Sequence, residues 1–508
     1  RPAPTRRGRP GASGVYKGRE LDGGRVCFWP AVSPLIEITG TVKQGPNGEW
    51  PVVKILNATT VFDTDFELTG SGREVHQRYI PSGITSGTRH FYVFLQTPTG
   101  ASLDIENIAF APAIKSIKVT PYEPTLDDVF NLSPHEMASF LSYTFTGSMP
   151  DIVLVQKAEN GQLETEAHIE QEVERLLATQ RGAAQLESFI DQWLGVNIIA
   201  DASTTAKDPA LYPLFDQTIR DALVQEVREM FKHNVLTNAP FSDFFDSDYV
   251  LANNTLSNFY DLNSPTNSNF SVVTANSERG GILTTGAFLG SFAHPDHTAP
   301  IIRAVRIRER LMCQYLPDPP NNLDLERMES AAVLNEDWHS GLLTSREYFS
   351  SLTNLPVCST CHANWINPLG FGLEDYDPIG QYQQMDVNQL PIDASGILNG
   401  ENSLADGDSH PFTGAKGLSA FLAASTRTDY CFTEKAFRYM NASGPAVLTR
   451  RKDISIGNLA DDEISDYTCS VNNVSNILTR TQDLKEVFKK LSTSNIIRYR
   501  KEANRKEQ

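Results

Sequence analysis

The sequence contains no run of 18 consecutive apolar residues, so it predicts no transmembrane helix. Positive charge is also in short supply: 44 Lys and Arg stand against 62 Asp and Glu, a formal net charge of −18 at pH 7. An acidic chain repels phosphate backbones, which excludes nucleic acid as a partner, whereas basic proteins and metal cations would be attracted. The sequence contains no pattern that indicates a Ser-His-Asp triad or a phosphate-binding glycine loop. No signal peptide or initiating Met is visible, which indicates a processed or trimmed start.

Cysteine is scarce, with six in 508 residues. Two of them lie in a short motif described below, and the other four form an even set that is typical of two disulfides. We expect Cys431 to pair with Cys469, because both lie in the C-terminal region. Cys27 would then pair with Cys313 by elimination, with all three connectivities of four cysteines still open. Disulfides persist in oxidising compartments, so the chain is expected in the periplasm, at the cell surface or outside the cell.

Residues 15–122 have a sequence pattern typical of short β-strands. The runs 36–42, 90–96, 102–110 and 116–122 alternate or are β-branched and aromatic, with Gly, Pro, Asn and Asp between them. The pattern predicts an antiparallel β-sandwich. The segments "GEWPV", "SGTRHFYVFLQT" and "ASLDIENIAF" resemble parts of jelly-roll carbohydrate-binding modules. That resemblance implies a polysaccharide partner, and a sandwich with a purely structural role is the alternative.

From Ser133 onward the pattern becomes helical. Ser133 is a candidate N-cap, Pro134 follows in the first turn, and Glu136 completes a capping box. Apolar residues then recur at helical spacing through several segments, up to a last helix predicted over 483–499. We interpret these Met and aromatic stripes as core rather than as cofactor contacts. The sequence therefore predicts a mainly α-helical body after the sandwich.

The motif "CSTCH" at 358–362 carries the clearest chemistry in the chain. Two thiols separated by two residues reach the two vinyl groups of one haem and form thioethers, which makes Cys358 and Cys361 the attachment sites of haem c. The next residue, His362, would then bind the iron. The alternatives are a zinc knuckle, for which no second ligand pair follows closely, and a thioredoxin-like redox pair, which would need a βαβ context.

The segment after the motif is compact and apolar, as the wall of a haem pocket must be. Pro368, Leu369 and Phe371 are the expected haem contacts, because apolar side chains exclude water and raise the reduction potential. Asn367 is expected to hydrogen-bond nearby backbone.

Several segments together resemble one known family. They are "LSPHEMASFLSYTFTGSMPD", "RGGILTTGAFL", "HPDHTAPIIRAVRIRERLMC", "CSTCHANWINPLGFGLEDYDPIGQYQ", "LPIDASG", "FTGAKGLSAFL", "CFTEKAFRYMNASG" and "LSTSNIIRYRKE". They are similar to exported bacterial mono-haem c-type cytochrome-like proteins of planctomycete type, catalogued mainly as domains of unknown function. The resemblance covers about residues 125–500 and implies a secreted haem protein without an assigned reaction. Two departures stand out: Asn367 replaces an Asp common in the family, and no second Cys-x-x-Cys-His is present, which leaves one haem.

The sixth iron ligand would decide between electron transfer and catalysis. Two strong protein ligands suit electron transfer, whereas an open position can bind O₂ or peroxide. The candidates are His294, then Met440, Met385 and His297, of which His294 and Met440 are the preferred metal ligands beside His362. Each could equally be an ordinary surface or core residue.

These observations predict a multidomain chain that contains a cytochrome c-like haem domain. The expected division is a disordered basic tail at 1–14, the sandwich at 15–122, a helical domain at 125–262, a connecting segment at 263–340, the haem domain at 341–430 and a C-terminal helical domain at 431–508. Electron transfer to an unidentified redox partner is the first hypothesis. An oxygenase or peroxidase acting on a polymer is the second, and a surface-assembly or adhesion protein with a structural haem is the third.

Calcium is a further cofactor to consider. The acidic segments 461–466 and 406–410 could hold Ca²⁺ through carboxylates, although neither matches an EF-hand and both could be solvated loops.

Overall fold

The computed structural model describes residues 129–262, 267–316, 334–354, 356–401, 407–441 and 461–501, together with the backbone of seven strands between residues 16 and 121. The chain divides into two compact units, each of which is described separately below. The first comprises 1–131, 458–473 and 495–508, and the second 132–457 and 474–494. The finer six-part division stays a prediction. Among the described helices, none is both long and apolar enough to cross a bilayer.

The first unit contains short antiparallel strands. They are β1 (Tyr16–Lys17), β2 (Pro34–Thr41), β3 (Val52–Asn57), β4 (Val61–Glu67), β5 (Glu74–Tyr79), β6 (Phe91–Gln96), β7 (Ala113–Pro121) and β8 (Val129–Asn131). One sheet has the order β5-β2-β7, another has the order β1-β6-β3-β4, and β8 pairs with β13 (Tyr499–Lys501). The strand predicted at 102–110, the basic tail and Cys27 lie outside the described residues.

The fold class predicted from the sequence, with a jelly-roll-like β-sandwich at its head, is wrong. Outside the first unit, the described residues are mainly helical and contain only two small two-stranded sheets, and no sandwich is visible among the described residues. Alternation of apolar and polar residues predicts where a strand runs, but it does not specify which strands share a sheet or what covers it. The polysaccharide partner was expected only because of the jelly-roll resemblance, and without a sandwich that expectation has no structural support.

Helices form most of the second unit. They are α1 (Pro134–Thr146), α2 (Ile152–Glu159), α3 (Glu166–Leu177), α4 (Gln180–Leu194), α5 (Gln217–Thr237), α6 (Asn254–Phe259), α7 (Gly286–Ser291), α8 (Pro300–Arg306), α9 (Ser345–Leu352), α10 (Pro356–Cys361), α11 (Asn367–Gly370), α12 (Gly414–Ala424), α13 (Thr426–Met440) and α15 (Leu484–Ser492). Helix α14 (Asp461–Thr481) runs through both units, and α16 (Asn495–Arg498) belongs to the first. The small sheets pair β9 (Tyr249–Ala252) with β10 (Ser271–Thr274), and β11 (Ser395–Asn399) with β12 (Ser409–Thr413).

The helix starts follow from local chemistry. At α1 the Ser133 hydroxyl accepts from the Glu136 amide, and the Glu136 carboxylate accepts from the Ser133 amide at 2.9 Å, so the predicted capping box is confirmed. Thr344 and Glu347 form the same arrangement at the start of α9. Each cap satisfies amides that the first helical turn leaves without partners.

Aromatic side chains fill the centre of the second unit. The Phe432 ring on α13 lies 4.9 Å from Phe241 and 5.3 Å from Trp193, measured between centroids. Phe189 and Phe488 complete the cluster at 5.9 and 6.1 Å from Phe432. Phe432 has no exposed surface, so this cluster is the core that holds α4, α13 and α15 together.

A disulfide joins Cys313 to Cys431, across 118 residues of sequence. The predicted pairs Cys431–Cys469 and Cys27–Cys313 are therefore wrong. Arg427 explains the difference, because its guanidinium donates to the carbonyls of Met312 and Cys313 and so holds that turn against α13. Closeness in the sequence was a poor guide to closeness in the fold.

Candidate haem site

The motif "CSTCH" lies on helix α10 and the turn that follows it. Pro356 starts the helix, and a π-helical segment, His362–Ile366, continues it. Cys358 is buried and Cys361 is half-buried, and both are free thiols. Burial, together with the neighbouring Cys358 sulfur, raises the pKa of the Cys361 thiol. Residues three and four apart share one helix face, so both thiols and His362 lie along the same side.

The His362 imidazole is held by a chain of three side chains. Its Nδ1 lies 3.0 Å from the Asn367 amide oxygen, and the Asn367 Nδ2 donates to the Thr353 hydroxyl oxygen at 2.7 Å. The Thr353 hydroxyl in turn donates to the Phe349 carbonyl at 2.7 Å, at the end of α9. Because Thr353 accepts from the Asn367 nitrogen, the Asn367 oxygen must face His362 and accept from Nδ1–H. That tautomer presents Nε2 as the metal-binding nitrogen.

Asn367 therefore differs from its expected role. It bonds two side chains rather than nearby backbone, and it is 5% exposed. Thr353 was not singled out from the sequence, because the two residues are 14 positions apart in different helices. No sequence signal short of a known fold would have joined them.

A cavity of about 700 Å³ lies beside this helix. Two of the three expected haem contacts, Pro368 and Phe371, line this cavity. The third, Leu369, is fully buried and is not among the lining residues. The other lining residues are Arg346, Ser350, Thr353, Asn354, Ser359, Ala363, Asn367, Ser395, Gly396, Ile397, Pro411, Phe412 and Thr413. Ser359 and Ala363 line the cavity, and each directly follows a residue of the motif. Consecutive residues point about 100° apart around a helix, so the cavity borders the helix face next to the one that carries the motif side chains.

Helix α11 contributes Asn367 and Pro368 to the cavity lining and packs closely on α8. Gly370 has no room for a side chain, since a Cβ there would meet the Pro300 carbonyl. Arg346, which the sequence analysis did not identify, lies 4.6 Å from the centre of the Phe371 ring. Its guanidinium also donates to the backbone carbonyls of Asp393 and Ser395, and burial lowers its pKa.

The residues present fit a covalently bound haem. Two free thiols stand at the required spacing, and the adjacent imidazole has its tautomer fixed by a buried amide. A cavity with both polar and apolar lining residues borders a neighbouring face of the same helix. Such a cavity lies within the range of roughly 300–1,000 Å³ in which proteins bind organic ligands. Cys358, Cys361 and His362 would hold the group, with Pro368 and Phe371 against it.

The two histidines considered as sixth ligands contact each other. The His294 and His297 rings stack with centroids 4.4 Å apart, and His297 Nδ1 lies 2.7 Å from the Asp296 carboxylate. Burial lowers the pKa of both imidazoles, and nearby Lys207 adds to that effect. His297 also packs edge-on against Trp338 at 4.7 Å. Neither histidine is among the residues that line the cavity.

The two methionine candidates lie elsewhere in the second unit. Met440 is 5% exposed at the end of α13, a helix that packs against α4 and α15. Met385 is 48% exposed and pairs its backbone with Pro391. Neither lines the cavity, so the identity of a sixth ligand stays a prediction.

The calcium candidates fall in two places. The side chains of 461–466 and Asp406 lie outside the described residues. Asp408 and His410 are described and come together with a third residue, Glu401, which the sequence analysis did not identify.

Comparison with known proteins gives two family matches. Residues 132–262 match PSD4, a protein of unknown function (DUF1592), and residues 279–386 match PSCyt3, a protein of unknown function (DUF1588). The second stretch contains the Cys-x-x-Cys-His motif. No curated protein and no solved structure matches. Both matches fit the resemblance to planctomycete-type proteins with cytochrome c-like domains.

Proposed function

We propose that this chain is a c-type cytochrome with one haem attached through Cys358 and Cys361 and coordinated by His362, and that it transfers electrons outside the cytoplasm. The observation that carries the proposal is the chain of hydrogen bonds from Thr353 through Asn367 to His362 Nδ1. A surface histidine has no need of a buried amide partner, whereas an iron ligand gains a fixed orientation from one.

The bound group would supply a one-electron redox couple, and the chain would tune it. Asn367 orients the imidazole, because its amide oxygen accepts the Nδ1 hydrogen and leaves Nε2 for the iron. Pro368 and Phe371 exclude water from one side, which disfavours the additional charge of the oxidised state and raises the potential.

The cellular location is supported by the disulfide. Cys313 and Cys431 are bonded, and such bonds persist in oxidising compartments. Haem c attachment belongs to the same compartments. The periplasm, the cell surface and the extracellular medium all satisfy this condition.

The direct test is the covalent link. Protein produced with haem maturation factors should be coloured, and acidified acetone should leave the pigment on the polypeptide. The double variant Cys358→Ser, Cys361→Ser should lose covalent pigment, because no thioether can form. The matched control Ser359→Ala, Thr360→Ala changes the two residues between the thiols and should retain it. Colourless wild-type protein, or pigment that acidified acetone extracts, would contradict the proposal.

A second candidate function is a haem enzyme of oxygenase or peroxidase type. It is favoured by one observation: among the described residues, no His or Met, the usual sixth ligands, lines the cavity. Carbon monoxide separates the two functions. A ferrous protein with two strong ligands should keep its spectrum under CO without denaturant, whereas an open position should bind CO and shift the main absorption band.

A further inference from the structure

The β11–β12 hairpin brings three metal-ligating side chains to the end at which its connecting segment begins. Its ladder pairs Asn399 with Ser409 and Leu398 with His410, and the Gly400 amide donates to the Asp408 carbonyl at 3.0 Å. Asp408 and His410 are two residues apart along this continued ladder, so they share one of its faces. Glu401 directly follows Gly400, the residue opposite Asp408, and all three side chains therefore stand at the same end of the hairpin.

The distances between their donor atoms suit a metal ion. His410 Nε2 lies 3.5 Å from a Glu401 carboxylate oxygen and 4.0 Å from an Asp408 oxygen. One ligand atom from each residue lies within 4.8 Å of the other two. With metal–ligand bonds of about 2.0–2.2 Å, tetrahedral ligands are roughly 3.4 Å apart, so small side-chain shifts would close the site.

Neighbouring groups hold two of these side chains in place. The Ser425 hydroxyl donates to the other Glu401 carboxylate oxygen, which leaves Oε2 facing the histidine. The His410 ring packs on Phe421 with centroids 4.5 Å apart. The His410 side chain is 37% exposed, whereas its Nε2 atom is covered and receives no hydrogen bond from a described residue. The nearest charged group to Nε2 is the Glu401 carboxylate, so an ion between them would bind both.

We propose that Glu401, Asp408 and His410 form a binding site for a divalent transition-metal ion, of the class of Zn²⁺. An imidazole nitrogen with two carboxylates is a donor set typical of zinc, whereas Ca²⁺ takes six to eight oxygen ligands. Two carboxylates balance the charge of the ion, and the neutral imidazole completes three protein ligands with one position left for water.

The site would act on the haem cavity through the hairpin. Gly396, Ile397, Pro411 and Phe412, in the same two strands, line that cavity. An ion that joins the strand ends would restrict the opening of the hairpin and so stabilise that wall. This consequence is independent of whether the cavity holds haem.

Zinc binding to the full-length protein tests the proposal, by titration calorimetry with ZnCl₂ and a parallel titration with CaCl₂. Every protein compared carries the Cys358→Ser and Cys361→Ser changes, because free thiols beside His362 would themselves bind Zn²⁺. We expect one Zn²⁺ per chain, and at least tenfold weaker binding in His410→Gln and in Glu401→Gln. The variant His135→Gln, at an exposed histidine on α1, is the matched control and should bind like wild type. Circular dichroism of each variant excludes loss of fold as the cause.

The alternative is a simple ion pair of protonated His410 with the two carboxylates. NMR of the His410 ring distinguishes them: equimolar Zn²⁺ should shift its resonances if the three residues bind the ion, and leave them in place if they form only an ion pair. Resonances unchanged by Zn²⁺, equal Zn²⁺ affinity in His410→Gln and wild type, or Ca²⁺ binding tighter than Zn²⁺ would each overturn the proposal.

Discussion

The second unit contains two regions that use aromatic side chains in opposite ways. Around Phe432 rings pack on rings, with centroids 4.9 to 6.1 Å from its own, and its side chain is fully buried. Beside α10, Phe371 and Phe412 instead stand at the wall of a cavity of about 700 Å³. Close packing is the rule in protein interiors, so a cavity of this size is a candidate ligand site.

Buried carboxylic acids show the same contrast. Glu226, in the packed region, accepts a hydrogen bond from the Tyr260 hydroxyl at 2.6 Å. Glu374 accepts from the Thr298 hydroxyl at 2.7 Å, but its second oxygen is buried without a partner among the described residues. Arg346, on the cavity wall, lies within electrostatic range of Glu374. The contrast is confined to these two carboxylic acids, because buried polar atoms without a partner also occur away from the cavity, as at Asn234.

The largest loss of stability is expected from a substitution in the packed region around Phe432. Phe432→Ala should lower the free energy of unfolding by about 3–5 kcal/mol, since it opens a void among rings that cannot collapse fully. Phe371→Ala should cost less, because that ring borders the cavity and its removal enlarges an existing space rather than opening a new one in the core. Denaturant unfolding of the haem-free protein measures both. Equal losses in the two variants would show that the cavity wall is as tightly packed as the core.

A smaller effect concerns pH. Burial raises the pKa of Glu374 to about 7, and nearby Arg303 only partly offsets this. The unfolded chain releases this proton near pH 4.5, so Glu374 stabilises the fold fully below that pH and the contribution is lost as pH rises through about 7. Glu374→Gln should remove this loss, on the order of 3 kcal/mol between pH 4.5 and 8.

The comparison variant for this test is Glu226→Gln, since burial also raises the pKa of Glu226 to about 7. Unfolding at several pH values should show a shallower slope in each variant, and the double variant should be shallower still. A wild-type stability that stays flat between pH 4.5 and 8 would refute the assignment.

Interactions within one helical turn could be predicted, and longer ones could not. The capping box of Ser133 and Glu136 follows from its spacing and from helix geometry alone. The disulfide partner of Cys431 is 118 residues away, and Thr353 reaches Asn367 from another helix. Such contacts depend on how helices pack, which a strand or helix pattern does not encode. The prediction of a sandwich failed for the same reason, because it depends on how sheets pack together and not only on where strands lie.

The smallest expected effect compares two buried asparagines. Asn367 uses both ends of its amide, toward His362 and Thr353, whereas Asn234 donates to the Pro240 carbonyl at 2.8 Å and its oxygen has no partner among the described residues. Asn367→Ala should cost about 1–3 kcal/mol, because it leaves two polar groups unsatisfied. Asn234→Ala should cost less, because it also removes a buried oxygen that was never satisfied. In pigmented protein only Asn367→Ala should alter the reduction potential, since only Asn367 touches the imidazole proposed to bind the iron. A potential unchanged in Asn367→Ala would remove Asn367 from the haem site, and the stability difference would then reflect packing alone.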